Sequence, residues 1–221
     1  MKKAYTYDDV LLVPQYSDIR SRSEVDISGH LGELKLTLPI ISSPMDTVTE
    51  WGMAETMRTE GGVGVIHRYN TITEQCEMVK QAGKVGAAVG VTGDFVERAQ
   101  ALCDHGASFV CVDVAHGHHI LMKEALGTLR KNLPESFHIM AGNVATLRAF
   151  DDLADWGADS IRCGIGGGSI CTTRIQTGHG KPTLQTILEC SKSDRDVKLI
   201  ADGGIKNSGD IVKALAAGAD F

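Results

Sequence analysis

Leu147-Arg-Ala-Phe-Asp-Asp-Leu-Ala-Asp-Trp156 runs into Gly157-Ala-Asp159, then Ser160-Ile-Arg162, then Cys163-Gly-Ile-Gly-Gly-Gly-Ser-Ile-Cys-Thr-Thr-Arg174. The stretch reads as a helix stopped by glycine, a tight turn, a short strand and a long glycine-rich loop. The same turn closes two other helical segments, as Gly106-Ala-Ser108 and Gly218-Ala-Asp220. A turn that recurs between helix and strand implies repeated αβ units.

Outward from there the chain alternates. Strands are expected at 39–42, 63–66, 86–89, 109–112, 138–140, 160–162 and 198–201. Helices are expected at 51–60, 72–81, 94–105, 119–132, 147–156, 184–191 and 209–217. Short apolar strands between amphipathic helices indicate a parallel sheet covered on both faces. Seven βα units are legible, and Asp220-Phe221 reads as the entrance to an eighth strand. The best fit is an α/β (β/α)8 TIM barrel, incomplete at the C-terminus in these 221 residues; a doubly wound open sheet is the alternative. The expected organisation is a single catalytic barrel domain over 1–221, with an N-terminal arm at 1–38 and βα units over 39–221. With no eighth strand, the strands at 39–42 and 198–201 are expected to face each other as open edges, which invites association. Residues 1–221 alone are therefore expected to be inactive without a continuation or a partner.

Composition narrows the function. The formal net charge is −6, with 22 Lys and Arg against 28 Asp and Glu. That balance argues against an electrostatic nucleic-acid binder. No signal-peptide pattern and no apolar run long enough to cross a bilayer is present, so a cytoplasmic protein with no membrane partner is expected. The six cysteines form no C-x-x-C pair and read as reduced thiols, with Cys103 and Cys111 in the core.

Barrel enzymes carry their chemistry where strands end. Met45, Asp46, His67, Arg68, Asp113, Asn143, Asp202 and the loop after Arg162 all fall there. Singly, each also reads as a cap or turn: Asn143 could cap the helix at 147, and Asp202-Gly203 is an ordinary turn. In the glycine-rich loop Cys171 sits among Ser169, Thr172, Thr173 and Arg174. Main-chain N–H groups and a cation lower a thiol pKa, so Cys171 reads as a nucleophile; a small buried cysteine in an anion-binding loop is the other reading. Gly164-x-Gly-x-Gly168 opens a loop and not a helix, which excludes a Rossmann dinucleotide turn. His116, His118 and His119 lack Cys, Asp or Glu at a matched spacing for zinc.

The glycine-rich loop resembles the active-site loop of the IMP dehydrogenase/GMP reductase family. Six further motifs are similar to that family and stand in its order: Tyr7-Asp-Asp-Val-Leu-Leu-Val-Pro14, Ser42-Ser-Pro-Met-Asp-Thr-Val-Thr-Glu50, Gly61-Gly-Val-Gly-Val-Ile-His67, Asp113-Val-Ala-His-Gly117, Ala141-Gly-Asn-Val-Ala-Thr146 and Ala201-Asp-Gly-Gly204. The resemblance implies a purine nucleoside monophosphate oxidoreductase in which Cys171 attacks purine C2, assisted by Thr173. It implies substrate contacts at Ser43, Met45, Ser169, Asp202 and Gly204. Asp113, Asn143 and Arg162 would line the cofactor side, and the carbonyls of Gly166, Gly168 and Cys171 would hold potassium. Cys163 and Gly167 depart from the family pattern, and the extra glycine is expected to loosen the loop. No regulatory CBS pair fits between residues 81 and 86.

Thr47-Val-Thr-Glu50 and Ala115-His-Gly-His118 look like IMP dehydrogenase, which implies IMP and XMP with NAD, potassium and a homotetramer. Ser21-Arg-Ser-Glu-Val-Asp26, Thr177-Gly-x-Gly-x-Pro182 and Leu188-Glu-Cys190 look like GMP reductase, which implies GMP with NADPH. The dehydrogenase is favoured. A truncated nucleotide-binding paralogue without turnover stays as the non-enzyme reading.

Overall fold

The computed structural model describes residues 3–221. Seven strands form one wholly parallel sheet in chain order. They are β3 (Ile41–Ser42), β4 (Val63–Ile66), β5 (Gly86–Val89), β6 (Phe109–Asp113), β7 (His138–Val144), β8 (Ser160–Cys163) and β9 (Lys198–Ala201). Between them run α1 (Trp51–Thr59), α2 (Ile72–Ala82), α3 (Phe95–Asp104), α4 (Ile120–Asn132), α5 (Leu147–Asp155), and the pair α6 (Thr173–Thr177) and α7 (Thr183–Cys190); α8 (Ser208–Ala216) follows β9. In the arm, β1 (Gly29–Leu31) and β2 (Leu34–Leu36) form an antiparallel hairpin turned at Gly32.

The recurrent glycine turn has a physical cause. Gly106, Gly157 and Gly218 have φ of 90°, 105° and 108°. Each lets the next residue donate back into its helix: Ala107 N to Leu102 O, Ala158 N to Leu153 O, and Ala219 N to Ala214 O. That is the glycine-terminated cap that ends a helix and redirects the chain. The acid that follows ties the turn to the sheet. Asp159 accepts from Ile139 N at 2.7 Å and Asp220 from Leu199 N at 2.8 Å.

Strand faces alternate. Phe109 and Cys111 of β6 and Met140 of β7 point into one cluster, with Val65, Ala88, Ile200 and Phe221. Val110, Val112, Ile139 and Ala141 point the other way, onto the helices. The sheet is curled. Laid flat, six strand spacings would separate β3 from β9 by about 29 Å. Instead Ile41 and Ile200 border one cavity, and the Phe221 ring lies 2.8 Å from where a Cβ on Gly29 would sit. The fold is thus a (β/α)8 barrel of which these residues supply seven strands. Asp220 and Phe221 occupy the edge of β9: Asp220 N donates to Leu199 O, and Ala201 N to Phe221 O, both at 2.8 Å.

Several expectations shift. The first strand shortens to Ile41–Ser42, since Pro39 has no N–H and Ile40 N turns back to Leu38 O. β7 runs on to Val144 through an irregularity between Gly142 and Val144. The hairpin was not expected; Leu31 and Leu36 plug the barrel floor within the inner cluster. Thr146, not Asn143, caps α5. Cys111 is fully buried, but Cys103 is only half-buried.

Candidate functional site

One cavity of about 1220 Å³ opens at the C-terminal ends of the strands, and every residue given a catalytic, substrate, cofactor or potassium role from the sequence borders it. At its base lies Arg162, at the end of β8 and 8% exposed. Its Nη1 donates to Asp113 Oδ1 at 2.6 Å and its Nη2 to Asp202 Oδ2 at 2.9 Å. Burial pulls the guanidinium pKa down, but Asp202, Cys111 and Asp113 push it up on balance, so the charge is fixed. Asn143 Nδ2 donates to Asp202 Oδ2 at 2.5 Å and to Gly164 O at 2.8 Å. Two donors therefore hold Asp202 by one oxygen. Its Oδ1, the second oxygen of Asp113 and Oδ1 of Asn143 accept nothing among the described residues. The geometry orients three acceptors toward open volume.

The glycine loops make the walls. A Cβ on Gly164 would sit 1.9 Å from Asp202 O, so only glycine allows the loops after β8 and β9 to touch. Gly203 and Gly204 have φ of 85° and 81°, and a Cβ on Gly203 would meet Gly168 N at 3.0 Å. Gly167 has a steric role besides the looseness expected of it. A Cβ there would lie 2.4 Å from Thr183 Oγ1, so the glycine makes room for that side chain.

Cys171 lies before α6, half-buried, with Sγ 3.3 Å from Thr173 Oγ1. The Thr173 side chain and N–H lower its pKa, helped by the Gly166 N–H and the Arg174 charge and opposed by slight burial. Burial pushes Cys76, Cys103 and Cys163 up, and Cys111 up to about 12. Cys171 thus combines a lowered pKa with access to the cavity. Its N–H donates to Gly168 O at 3.1 Å, which tightens the turn.

His67 and Arg68 do not border the cavity, although they end β4; Tyr69 does. His118 pairs with Asp152 at 2.7 Å and stacks on Trp156. Among the described residues no three His, Cys, Asp or Glu side chains converge as a metal site. Tyr7 and Thr183 also line the cavity and were given no role from sequence. Tyr7 stood inside a family-like motif, which was the available signal; Thr183 carried none.

The family model for the IMP dehydrogenase / GMP reductase domain matches residues 4–221. The chain belongs to this family of oxidoreductases. Among solved structures, the IMP dehydrogenase of Legionella pneumophila superposes with a TM-score of 0.93 at 52% identity, over 99% of this chain and 68% of that one. The inosine-5'-monophosphate dehydrogenase of Nitrosopumilus maritimus is 30% identical, over 99% of this chain and 73% of its own. The GMP reductase of Leishmania major is also 30% identical, over 100% and 73%. Both branches of the IMP dehydrogenase / GMP reductase family therefore resemble this chain.

Proposed function

We propose that the protein oxidises IMP to XMP with NAD, through covalent attack by Cys171 on purine C2. The observation that carries the reading is Cys171 itself: a thiol with a lowered pKa, beside Thr173, facing a cavity ringed by donors and acceptors. The 52% identity to the Legionella pneumophila dehydrogenase favours oxidation. The Leishmania major resemblance keeps GMP reduction with NADPH as the second reading.

The residues suit the chemistry. Purine C2 of IMP carries a hydrogen that departs only as hydride. Adding the Cys171 thiolate makes C2 tetrahedral and electron-rich, and the electron pair leaves with that hydrogen. Bound nicotinamide would supply the hydride acceptor, and water would then add at C2 and release the Cys171 thiol, giving XMP. Thr173 Oγ1, 3.3 Å from Sγ, accepts a hydrogen bond from the thiol and, by rotating its own O–H, can donate one to the thiolate. Asp202, held by Arg162 and Asn143, turns its free oxygen to the ribose hydroxyls. Ser43, Ser169 and Gly204 would receive the phosphate, and Met45 the base. Asp113, Asn143 and Arg162 would form the cofactor wall. The cavity exceeds the roughly 300–1,000 Å³ of single small-ligand sites, which suits two ligands side by side.

Potassium would sit on carbonyls of Gly166, Gly168 and Cys171. Gly168 O already accepts the Cys171 N–H, but a carbonyl oxygen has a second lone pair. A single barrel domain, a homotetramer and a cytoplasmic location complete the proposal. The test is a pair of assays on the full-length protein: NAD reduction with IMP, with and without potassium, and NADPH oxidation with GMP. Potassium-stimulated NAD reduction is expected. NADPH oxidation with GMP and silence with IMP would establish the second reading.

A further inference from the structure

Two hydroxyls beside the cavity have no partner. Tyr7 is 3% exposed and Thr183 4%, both border the cavity, and neither Tyr7 Oη nor Thr183 Oγ1 makes a hydrogen bond among the described residues. A buried hydroxyl left unpaired destabilises a fold, and each such group calls for an explanation. The two side chains meet at one residue. A Cβ on Gly204 would lie 3.8 Å from Tyr7 Cδ2 and 3.8 Å from Thr183 Oγ1.

The backbone around Tyr7 is held firmly. Gln185 N donates to Tyr5 O at 3.2 Å, Lys213 Nζ to Tyr7 O at 2.7 Å, and Lys206 Nζ to Asp8 Oδ2 at 2.7 Å. The ring is therefore fixed by its main chain, and a phenylalanine would fill the space without an orphaned oxygen. The surroundings offer donors. Gly203, Gly204 and Ile205 donate no N–H to any described residue, and they precede the N-terminus of α8. Burial, with Asp210 and Asp202 adding to it, pushes the Tyr7 pKa up to about 12, so the phenol stays a donor at neutral pH. Free donors on a loop after the seventh barrel strand, next to a helix start, suit an anion.

We propose that Tyr7 and Thr183 are phosphate ligands, donating their hydroxyls to the phosphate monoester of the nucleotide seated at Gly203–Gly204. This rests on the nucleotide reading above for its substrate, but the anion seat can be tested separately.

The experiment compares the wild-type chain with Tyr7→Phe and Thr183→Val. It measures binding of IMP, of inosine, and thermal protection by inorganic phosphate. Each variant is expected to bind IMP about tenfold to a hundredfold more weakly, the loss of one hydrogen bond to a charged group. Inosine binding should change less than about twofold, phosphate protection should fall, and the ligand-free melting temperature should hold or rise. Equal losses for IMP and inosine, unchanged binding, or a lower ligand-free melting temperature in Tyr7→Phe would overturn the proposal; the last would mean a buried water is the partner. If wild type takes phosphate but neither IMP nor GMP, and Tyr7→Phe loses phosphate, the nucleotide reading fails and the seat stands. If IMP binds and both variants match wild type, the reverse holds. No phosphate protection and no nucleotide binding in wild type would sink both.

Discussion

At the floor of the barrel His138 is buried, donates or accepts at Ser160 Oγ over 2.8 Å, and packs its ring edge-on against Phe109. Beside it Arg130 serves Asp159, Gly157 O and Phe137 O. At the mouth, Tyr7, Thr183, His67 and Arg68 each keep a buried side-chain polar atom without a hydrogen-bond partner, and no other side chain among the described residues does. Both ends bury polar groups; the floor satisfies its own and the mouth leaves some open. An unpaired buried donor costs stability, so a fold keeps one where something else completes it. The glycines divide the same way. Gly86 gives space to the Phe109 ring at the floor, whereas Gly164 and Gly203 let backbone meet backbone at the mouth. Polar groups at the floor pair with one another, whereas the Tyr7 and Thr183 hydroxyls, which alone of the four border the cavity, are left open to a further partner.

The largest effect that would break this contrast is at Cys171. Cys171→Ser should lower turnover by about a thousandfold or more, since a hydroxyl is a far weaker nucleophile at neutral pH. An electrophilic purine monophosphate should label Cys171 ahead of the other five cysteines, read by peptide mass spectrometry. Alkylation of Cys171 should also reach its half-maximal rate at a lower pH than that of Cys76 or Cys103, because its pKa is lowered and theirs are raised. Labelling that persists in Cys171→Ser would remove the mouth's claim to the chemistry.

The next effect concerns charge. Asp202→Ala leaves the Arg162 guanidinium buried with Asp113 as its remaining carboxylate. Breaking a buried pair costs about 3–5 kcal/mol. Asp159→Asn at the floor removes a carboxylate whose side chain is 42% exposed, and should cost about 1 kcal/mol or less through its ion pair. Urea unfolding of both variants gives the comparison. Equal losses would show that Arg162 is no more dependent on its partners than Arg130.

The frame of the molecule was legible in the sequence because its signals are local. Gly106, Gly157 and Gly218 each close a helix within one turn, and the apolar strands are buried on both faces as their composition requires. Cys171 was legible because thiol, hydroxyls and cation share one loop. What sequence left hidden is set by distant contacts. Leu31 and Leu36 form a floor only because the sheet curls over them. Gly167 reads as slack until Thr183 is seen beside it. Asn143 reads as a cap until Asp202, far along the chain, accepts its amide. Tyr7 and Thr183 meet at Gly204 only in three dimensions.

The smallest effect tests the floor. Burial drives the His138 pKa from the usual 6.5 down to about 4, with nearby Asp159 opposing and Arg130 reinforcing the shift. In the unfolded chain this imidazole takes up a proton as pH falls through 6.5; in the folded chain it stays neutral until about pH 4. The unfolded state therefore binds more protons throughout that window. The stability tied to neutral His138 is fully present above pH 6.5 and is lost as pH falls toward 4. Between pH 7 and pH 5 the loss should be about 2 kcal/mol. His138→Phe keeps an aromatic ring against Phe109 and removes the titration. It leaves the Ser160 hydroxyl unpaired, so it should be less stable at pH 7, but its stability should vary less between pH 7 and pH 5. Urea midpoints at the two pH values separate these contributions, because the orphaned hydroxyl lowers both equally and only the imidazole changes the slope. Identical slopes in wild type and variant would mean that His138 gains its proton in the folded state as readily as in the unfolded chain, and the floor would then have a polar group as open as those at the mouth.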